Sequence, residues 1–575
     1  MVPPQKSRVD AALAAKSFIQ ENLQQWNCVV LVGFDVRGAF DAAWWPCKLS
    51  NLRDLRCPKN LYDLALNYFR DRVASLKANT HTVKRTVTKG CPQGSCCGPG
   101  FWNVMYNALL NLNFSSHTKV IAYADDLAVL TKGKTPSEAE AFANSDLAKI
   151  GKWARDNKIE FNDTKSKAML ITKKRNIEGI NIYINNSRLE MVREMKYLGI
   201  YFDNRLIFNT HIKNLAENSS KLIHMLGRSA KLQWGLGNKA LKTIYEGALI
   251  PLLTYGAPVW KEAVTKQKNI RLLQRVQRMI NIKIAKAYRT IPFEASCMMA
   301  GVPPIELVIE EKASRHIIKH NPDYDTPLPV TEWLHPTQRR IGRVTLPADR
   351  EVELKNWPNP ANEAKTTEAK GCEQRTILIY TDGSKNDQGV GSGVAIFIQQ
   401  KLAAQLQFRL GTRCSNNQAE QLAIVKALEA VETIDIPENS PRTIAIFTDS
   451  RITIDLLRRA NNHSYLIEEI RKRLANLDRT NWTIEISWVK AHVGIHGNEM
   501  ADQLAKAATK NRDIAVSFNR IPTSTLYSEL KEVVIQKWQK DWDKCTKAAR
   551  THARTRTRTH TRARARAHTH TEGLQ

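Results

Sequence analysis

At 575 residues the chain is too long for one domain and is expected to fold as several. Hydrophobic residues make up 42%, enough to build buried cores, which sets disorder aside as the default. Lys and Arg number 86 against 56 Asp and Glu, and a net charge of +30 points to a polyanionic partner, most naturally nucleic acid. The ten cysteines include no C-x-x-C pair, which argues against a zinc site or a disulfide scaffold. The N-terminus, MVPPQKSRVD, lacks the apolar core of a signal peptide, and no run of about eighteen apolar residues could cross a membrane. An intracellular, soluble protein is expected.

The first two hundred residues alternate strand-like and helix-like patterns. CVVLVGFDV is an apolar, β-branched run of buried-strand length, and AFDAAWWPCKLSNL after it is a helix candidate. KVIAYADDLAVLT reads as two short strands meeting at an acidic turn. From about Asn209 to Ala313 the pattern is helical and rich in Lys and Arg. Residues from about His320 to Gln374 carry much Pro, Thr and charge and read as a linker. From Arg375 three strands follow in succession (RTILIYTDGS, GVGSGVAIFIQQ, KLAAQLQFRL), then helix, strand, helix, strand, helix. The order βββαβαβα implies a mixed sheet with helices against it. The last stretch, THARTRTRTHTRARARAHTHT, is low-complexity. Translation of a DNA repeat explains it better than a basic nucleic-acid-binding arm.

Two sets of carboxylates carry the chemistry. The first lies in FDVRGAFD around Asp35, GCPQGSCCGP from Gly90, and YADD with Asp125 and Asp126. Nucleotidyl transfer needs two divalent ions about 4 Å apart, so carboxylates must converge on them from different elements. Asp35 at a strand end and Asp125 in a tight turn can supply that pair. The second set is Asp382 in YTDGS, Glu420 in NNQAEQLA, Asp449 in FTDS and Asp502 in GNEMAD. Asp382 and Asp449 take matching places in apolar strands, where an unpaired carboxylate is costly. Glu420 and Asp502 are expected in first turns of helices, with Asn416 or Asn417 and Asn498 as caps. Four acids from two strands and two helices can form one two-metal pocket for phosphodiester hydrolysis. His492, in the loop AHVGIHG, suits a mobile proton shuttle, whereas His496 is given no role.

The first set closely resembles the palm of reverse transcriptases, with FDVRGAFD similar to motif A, GCPQGS to motif B and YADD to motif C. ARDNKIEFNDTKSKAMLI and MKYLGIYFD resemble motifs D and E. With AAWWP following, the wording is most similar to insect non-LTR (LINE-type) retrotransposons, especially type-1 elements that insert in ribosomal DNA. The second set resembles ribonuclease H, with all four acids and the histidine matched. The resemblance implies an RNA-directed DNA polymerase joined to an endonuclease that cuts the RNA strand of RNA·DNA hybrids and leaves a 3′-hydroxyl. The implied fold is multidomain α+β and α/β: a palm with a helical thumb, then a mixed sheet with helices.

The residues carry the implied roles as follows. Asp35 and Asp125 bind metal beside Asp126; Phe40 blocks a 2′-hydroxyl and so favours dNTPs; Gln93 touches nucleotide or template; Gly94 permits close approach; and Lys165 protonates the pyrophosphate. Asp382, Glu420, Asp449 and Asp502 bind the nuclease metals. The implied cofactor is Mg²⁺, two per active site, with Mn²⁺ as the alternative. The implied partners are an RNA template, a DNA primer, RNA·DNA hybrid and dNTPs, with no membrane and with the nucleus as location.

The expected domains are a palm at 1–205, a thumb or connection at 206–320, the linker at 321–374, ribonuclease H at 375–510, and a helical segment with basic tail at 511–575. The basic fingers motifs of such elements are not matched, nor is a His/Cys knuckle, since Cys545 stands alone. A 5′-truncated copy with an impaired polymerase is therefore expected, and the alternative is an inert relic that only binds nucleic acid.

Overall fold

The run Cys28–Phe34 (β1) is apolar at every position, and such a run is stable only when covered on both faces. The computed structural model covers it so. It describes residues 7–545 except 79–80, 92–93, 163, 175–178, 230–235, 321–347, 350–365, 369–376, 434–441, 460–461 and 463. Gln93, the basic tail and most of the expected linker lie outside the described residues. The chain divides into two units, Met1–Ala313 with Trp538–Gln575, and Ser314–Lys537.

In the first unit β1 is the middle strand of a five-stranded sheet. Its companions are β2 (Thr118–Tyr123), β3 (Asp126–Gly133), β4 (Lys167–Ile171) and β5 (Glu190–Met191), in the order β2-β3-β1-β4-β5. β1 runs antiparallel to both β3 and β4, with Phe34 opposite Leu127 and Gly33 opposite Lys167. The pleat divides its side chains between two cores. Val30, Val32 and Phe34 pack among Trp102, Met105, Leu147 and Ile150, which belong to helices Gly98–Leu110 and Pro136–Asp156. Val29 and Leu31 pack with Ile19 of helix Arg8–Gln24 and with Ile212, Trp260 and Ile280 of the helical region that follows the sheet. Between β1 and β2 the hairpin Val73–Ala78/His81–Thr86 stands apart, and every residue of its second strand is exposed.

The second unit holds a seven-stranded mixed sheet. Its strands are β6 (Thr366–Glu368), β7 (Ile377–Asn386), β8 (Gly389–Ile398), β9 (Lys401–Leu410), β10 (Thr443–Thr448), β11 (Thr483–Trp488) and β12 (Val516–Phe518), in the order β6-β11-β10-β7-β8-β9-β12. β7, β8 and β9 form an antiparallel meander, while β7, β10 and β11 run parallel. β6 comes from the stretch expected to be linker and pairs with β11.

The helices differ from the sequence reading in one respect. Tyr465–Arg479 is a further helix between Arg451–Arg458 and β11, so the order is βββαβααβα. Its Leu466, Ile467, Ile470 and Leu477 are buried in the same core as the helix Asn416–Thr433. The dense Glu, Lys and Arg of YLIEEIRKRLANLDR mask its apolar stripe, although Glu468 is buried and paired with Arg471.

Close packing of the helix His496–Lys510 on β8 depends on glycine. A Cβ on Gly393 would sit 2.2 Å from the Ala501 carbonyl oxygen, and one on Gly391 would sit 2.5 Å from that of Ala505. Gly393→Ala should therefore force helix and sheet apart and destabilise the second unit by about 2 kcal/mol. A lowered thermal midpoint with the first unit's transition unmoved is the expected result.

Candidate active sites

Parallel pairing builds the nuclease site. Thr381 of β7 lies opposite Thr448 of β10, so Asp382 and Asp449, the next residue on each, come side by side. Asp382 is 6% exposed within β7, and Asp449 stands just past the end of β10. The third acid arrives because residue 383 is glycine: a Cβ there would lie 2.4 Å from the Glu420 amide nitrogen. Glu420 is itself buried. The ligand oxygens of Asp382, Glu420 and Asp449 all lie within 4.8 Å of one another.

The caps differ from expectation. Ser415, not Asn416 or Asn417, caps the helix: its Oγ accepts from the Gln418 amide at 3.2 Å, and Gln418 Oε1 accepts from the Ser415 amide at 2.9 Å. This reciprocal pair satisfies two end donors at once, which a lone Asn would not do. Glu420 therefore sits in the second turn. Asn498 is likewise inside its helix, which starts after the extended Ile495, and Asp502 is in the second turn.

Electrostatics in this pocket are unfavourable by construction. Burial, reinforced by the charge of Asp449, pushes Asp382 up to about 7. Burial and then the charges of Asp382 and Asp449 push Glu420 well above its ordinary range. Burial also raises Asp449, and the neighbouring His492 opposes that shift. Glu420 Oε2 is buried without a close hydrogen-bond partner, and Oε1 receives a long contact from Asn416 at 3.5 Å. Asp502 stands at the rim, bonded to Lys506 at 2.7 Å, with its charge felt by Asp382 and Asp449. His492 adopts φ +52° in its loop beside Asp449, and His496 opens the last helix against the Phe397 ring. An all-oxygen set of three crowded carboxylates fits a hard divalent cation.

The polymerase set meets at one end of the first unit's sheet. Because Phe34 pairs with Leu127, Asp35 comes beside the turn that joins β2 to β3. Ala124 takes φ +53° in that turn. Its carbonyl is held by the Trp102 indole at 2.8 Å, and the Tyr106 hydroxyl reaches the Asp125 carbonyl at 3.5 Å. Asp35 is fixed through its backbone: its amide donates to Ser166 Oγ at 3.2 Å and its carbonyl accepts from the Asn162 amide at 2.8 Å. Burial, then the charge of Asp125, raises Asp126, and Asp35 adds to the effect. Lys165 Nζ lies 3.7 Å from Asp35 Oδ2 with both side chains largely exposed, a pair of little worth to stability.

Phe40 is half-buried and stacks on Trp102 with ring centroids 5.5 Å apart, so one indole supports both this ring of motif A and the acidic turn. Gly94, at φ +83°, has open space where a Cβ would be. Trp102 and Ser166 escaped the sequence reading. Trp102 follows the motif-B stretch at a spacing that places it on the next helix, but only the fold aims it at the turn.

The comparisons with known proteins accord with both sites. Residues 2–202 match the family model for reverse transcriptase (RNA-dependent DNA polymerase), and residues 374–510 match that for RNase H. The chain carries a reverse transcriptase domain and an RNase H domain. A 115 kDa protein of the type-1 retrotransposable element R1DM of Drosophila melanogaster is 29% identical over 57% of this chain and 31% of its own length. The retrovirus-related Pol polyprotein from type-1 retrotransposable element R1 of Bradysia coprophila is 28% identical over 52% of this chain and 30% of its own length. The chain thus spans under a third of these curated relatives. Among solved structures, RNase H1 from the archaeon Halobacterium salinarum NRC-1 is 25% identical over 23% of this chain and 96% of its own, at a TM-score of 0.19. No helix among the described residues is long and apolar enough to cross a membrane.

The raised acids of the RNase H domain make its stability depend on pH. Asp382 holds its proton more tightly when folded, at about 7, than an unfolded aspartate does at about 3.9. Without divalent ions, stability should be greatest at low pH and fall as pH rises from about 4 through about 7. Thermal unfolding in EDTA should show that loss, Asp382→Asn should blunt it, and added Mg²⁺ at pH 8 should reverse it. A pH-independent midpoint in EDTA would contradict the crowding described above.

Proposed function

We propose that the RNase H domain cuts the RNA strand of RNA·DNA hybrids and that the reverse transcriptase domain extends a DNA primer on an RNA template with dNTPs. The observation that carries the first activity is the trio Asp382, Glu420 and Asp449, two of them buried and the third half-buried, with ligand oxygens all within 4.8 Å of one another. Mg²⁺ or Mn²⁺, two ions per site, would activate the attacking water and stabilise charge on the phosphate when bound. Asp382, Glu420 and Asp449 hold the ions, Asp502 completes the set from the rim, and His492 delivers a proton to the departing 3′ oxygen. In the polymerase, Asp35 and Asp125 hold the ions, with Asp126 beside them. Phe40, braced by Trp102, presents its ring where a 2′-hydroxyl would sit. Gly94 lets the template or nucleotide come close beside Gln93, and Lys165 moves a proton to the pyrophosphate oxygen. The palm, thumb, linker and nuclease boundaries given above are part of this reading, as is the nucleus as its place of action.

In a gel assay on labelled hybrid with Mg²⁺, Asp382→Asn and Asp449→Asn should each reduce cleavage to background while hybrid binding is kept. A variant that cuts at the wild-type rate would refute the metal assignment.

On a primed RNA template, Asp125→Asn should end dNTP incorporation, and Phe40→Ala should raise the use of rNTPs relative to dNTPs. Unchanged sugar selectivity in Phe40→Ala would remove Phe40 from its assigned place.

A further inference from the structure

Lys48 is wholly buried in the helix Trp45–Asp54, which directly follows motif A. Burying an amine is costly unless its donors are used. Its Nζ donates to the Gly90 carbonyl at 3.0 Å and to Cys91 Sγ at 2.9 Å, and it lies 5.0 Å from the centre of the Phe69 ring. Burial lowers its pKa, and the bond to Cys91 opposes that. None of these three partners is a carboxylate, so the usual account of a buried lysine, an ion pair, does not apply.

What it grips is the entrance to motif B. Gly90 has φ +108° and Gly94 φ +83°, two positions that a freely moving glycine backbone would readily leave. The bonds that fix the first of them come from the end of motif A and the segment after it. The Gly90 amide donates to the Ala43 carbonyl at 2.8 Å, and the Cys91 amide to the Phe40 carbonyl at 2.7 Å. The Gly90 carbonyl takes a second donor, Trp45 Nε1, at 2.7 Å. The same helix is tied to motif B's far side, because Asn51 Nδ2 donates to the Val104 carbonyl at 3.3 Å.

We propose that Lys48 is a positioning residue for the polymerase, the pin that holds Gly90 and Cys91, the entrance to motif B, against the backbone of Phe40 and so sets how the incoming nucleotide is received. This rests on the polymerase reading above. The sequence spacing alone gives no hint of it, since a lysine in a helix is ordinarily a solvated one.

The test separates the pin from the activity. In the full chain, amide hydrogen exchange is followed in the peptide containing Gly90 and Cys91 and in the peptide containing β1, for wild type and Lys48→Met. Loss of the pin should speed exchange at Gly90 and Cys91 by about tenfold, the scale of one charge-assisted hydrogen bond, with β1 unchanged. Equal acceleration in both peptides would mean general destabilisation, and no acceleration would mean no pin; either result overturns the proposal. Should Lys48→Met fail to fold, Trp45→Phe removes the other donor to the same carbonyl and is read identically. In primer extension Lys48→Met should raise the KM for dNTP by about tenfold with kcat changed much less. An unchanged KM in an active enzyme would overturn the proposal. A wild-type chain without polymerase activity would overturn the polymerase reading, and leaves the exchange result to decide the pin.

Discussion

Mutual repulsion among buried carboxylates is the constraint around which the second unit is organised. Asp382, Glu420 and Asp449 would separate if their supports could yield, because burial disfavours each as an anion, the charge of Asp449 adds to this at Asp382, and the charges of Asp382 and Asp449 add to it at Glu420. Their supports do not yield. Two are carried on neighbouring parallel strands of a closely packed sheet, and the third is carried on a helix that reaches the sheet only because residue 383 lacks a side chain. Strain of this kind is held by the apolar core around it, and a divalent cation would offset it.

The reverse transcriptase domain solves a related problem with less burial. Asp35 and Asp125 stand at an open end of the sheet, and their positions are set through the backbone more than through their side chains. Trp102, Tyr106, Ser166 and Asn162 all bond to main-chain groups at or beside the aspartates, which leaves the carboxylates themselves free to take ligands. The aromatic pair Phe40–Trp102 links the acidic turn to motif A, and Lys48 links the segment after it to motif B. The three motifs are therefore mechanically connected as well as adjacent.

The two sites differ in what a substitution would disclose. In the RNase H domain the clustered acids are themselves a source of instability, so loss of one relieves repulsion. In the palm the aspartates are more exposed, and loss of one relieves less. Stability there depends on β1, buried on both faces between two cores.

Much of this was legible in the chain itself. An unbroken apolar run predicts a strand covered on both faces, acids at the ends of such runs predict a site, and three strands followed by alternating helices and strands predict the mixed sheet. Those inferences rest on local spacing and on the cost of burying charge, both of which a sequence displays. Tertiary structure alone decided the rest. The helix Tyr465–Arg479 was hidden because its charged face outnumbers its apolar stripe, and only the neighbouring helix reveals which face is buried. The Ser415 cap won over Asn416 because a reciprocal bond with Gln418 is stronger than a single one. The duties of Gly383, Trp102 and Lys48 depend on residues 22 to 43 positions away, contacts that spacing along the chain cannot express. Which residues bear charge and which are apolar was written locally, but which of them meet was settled by packing.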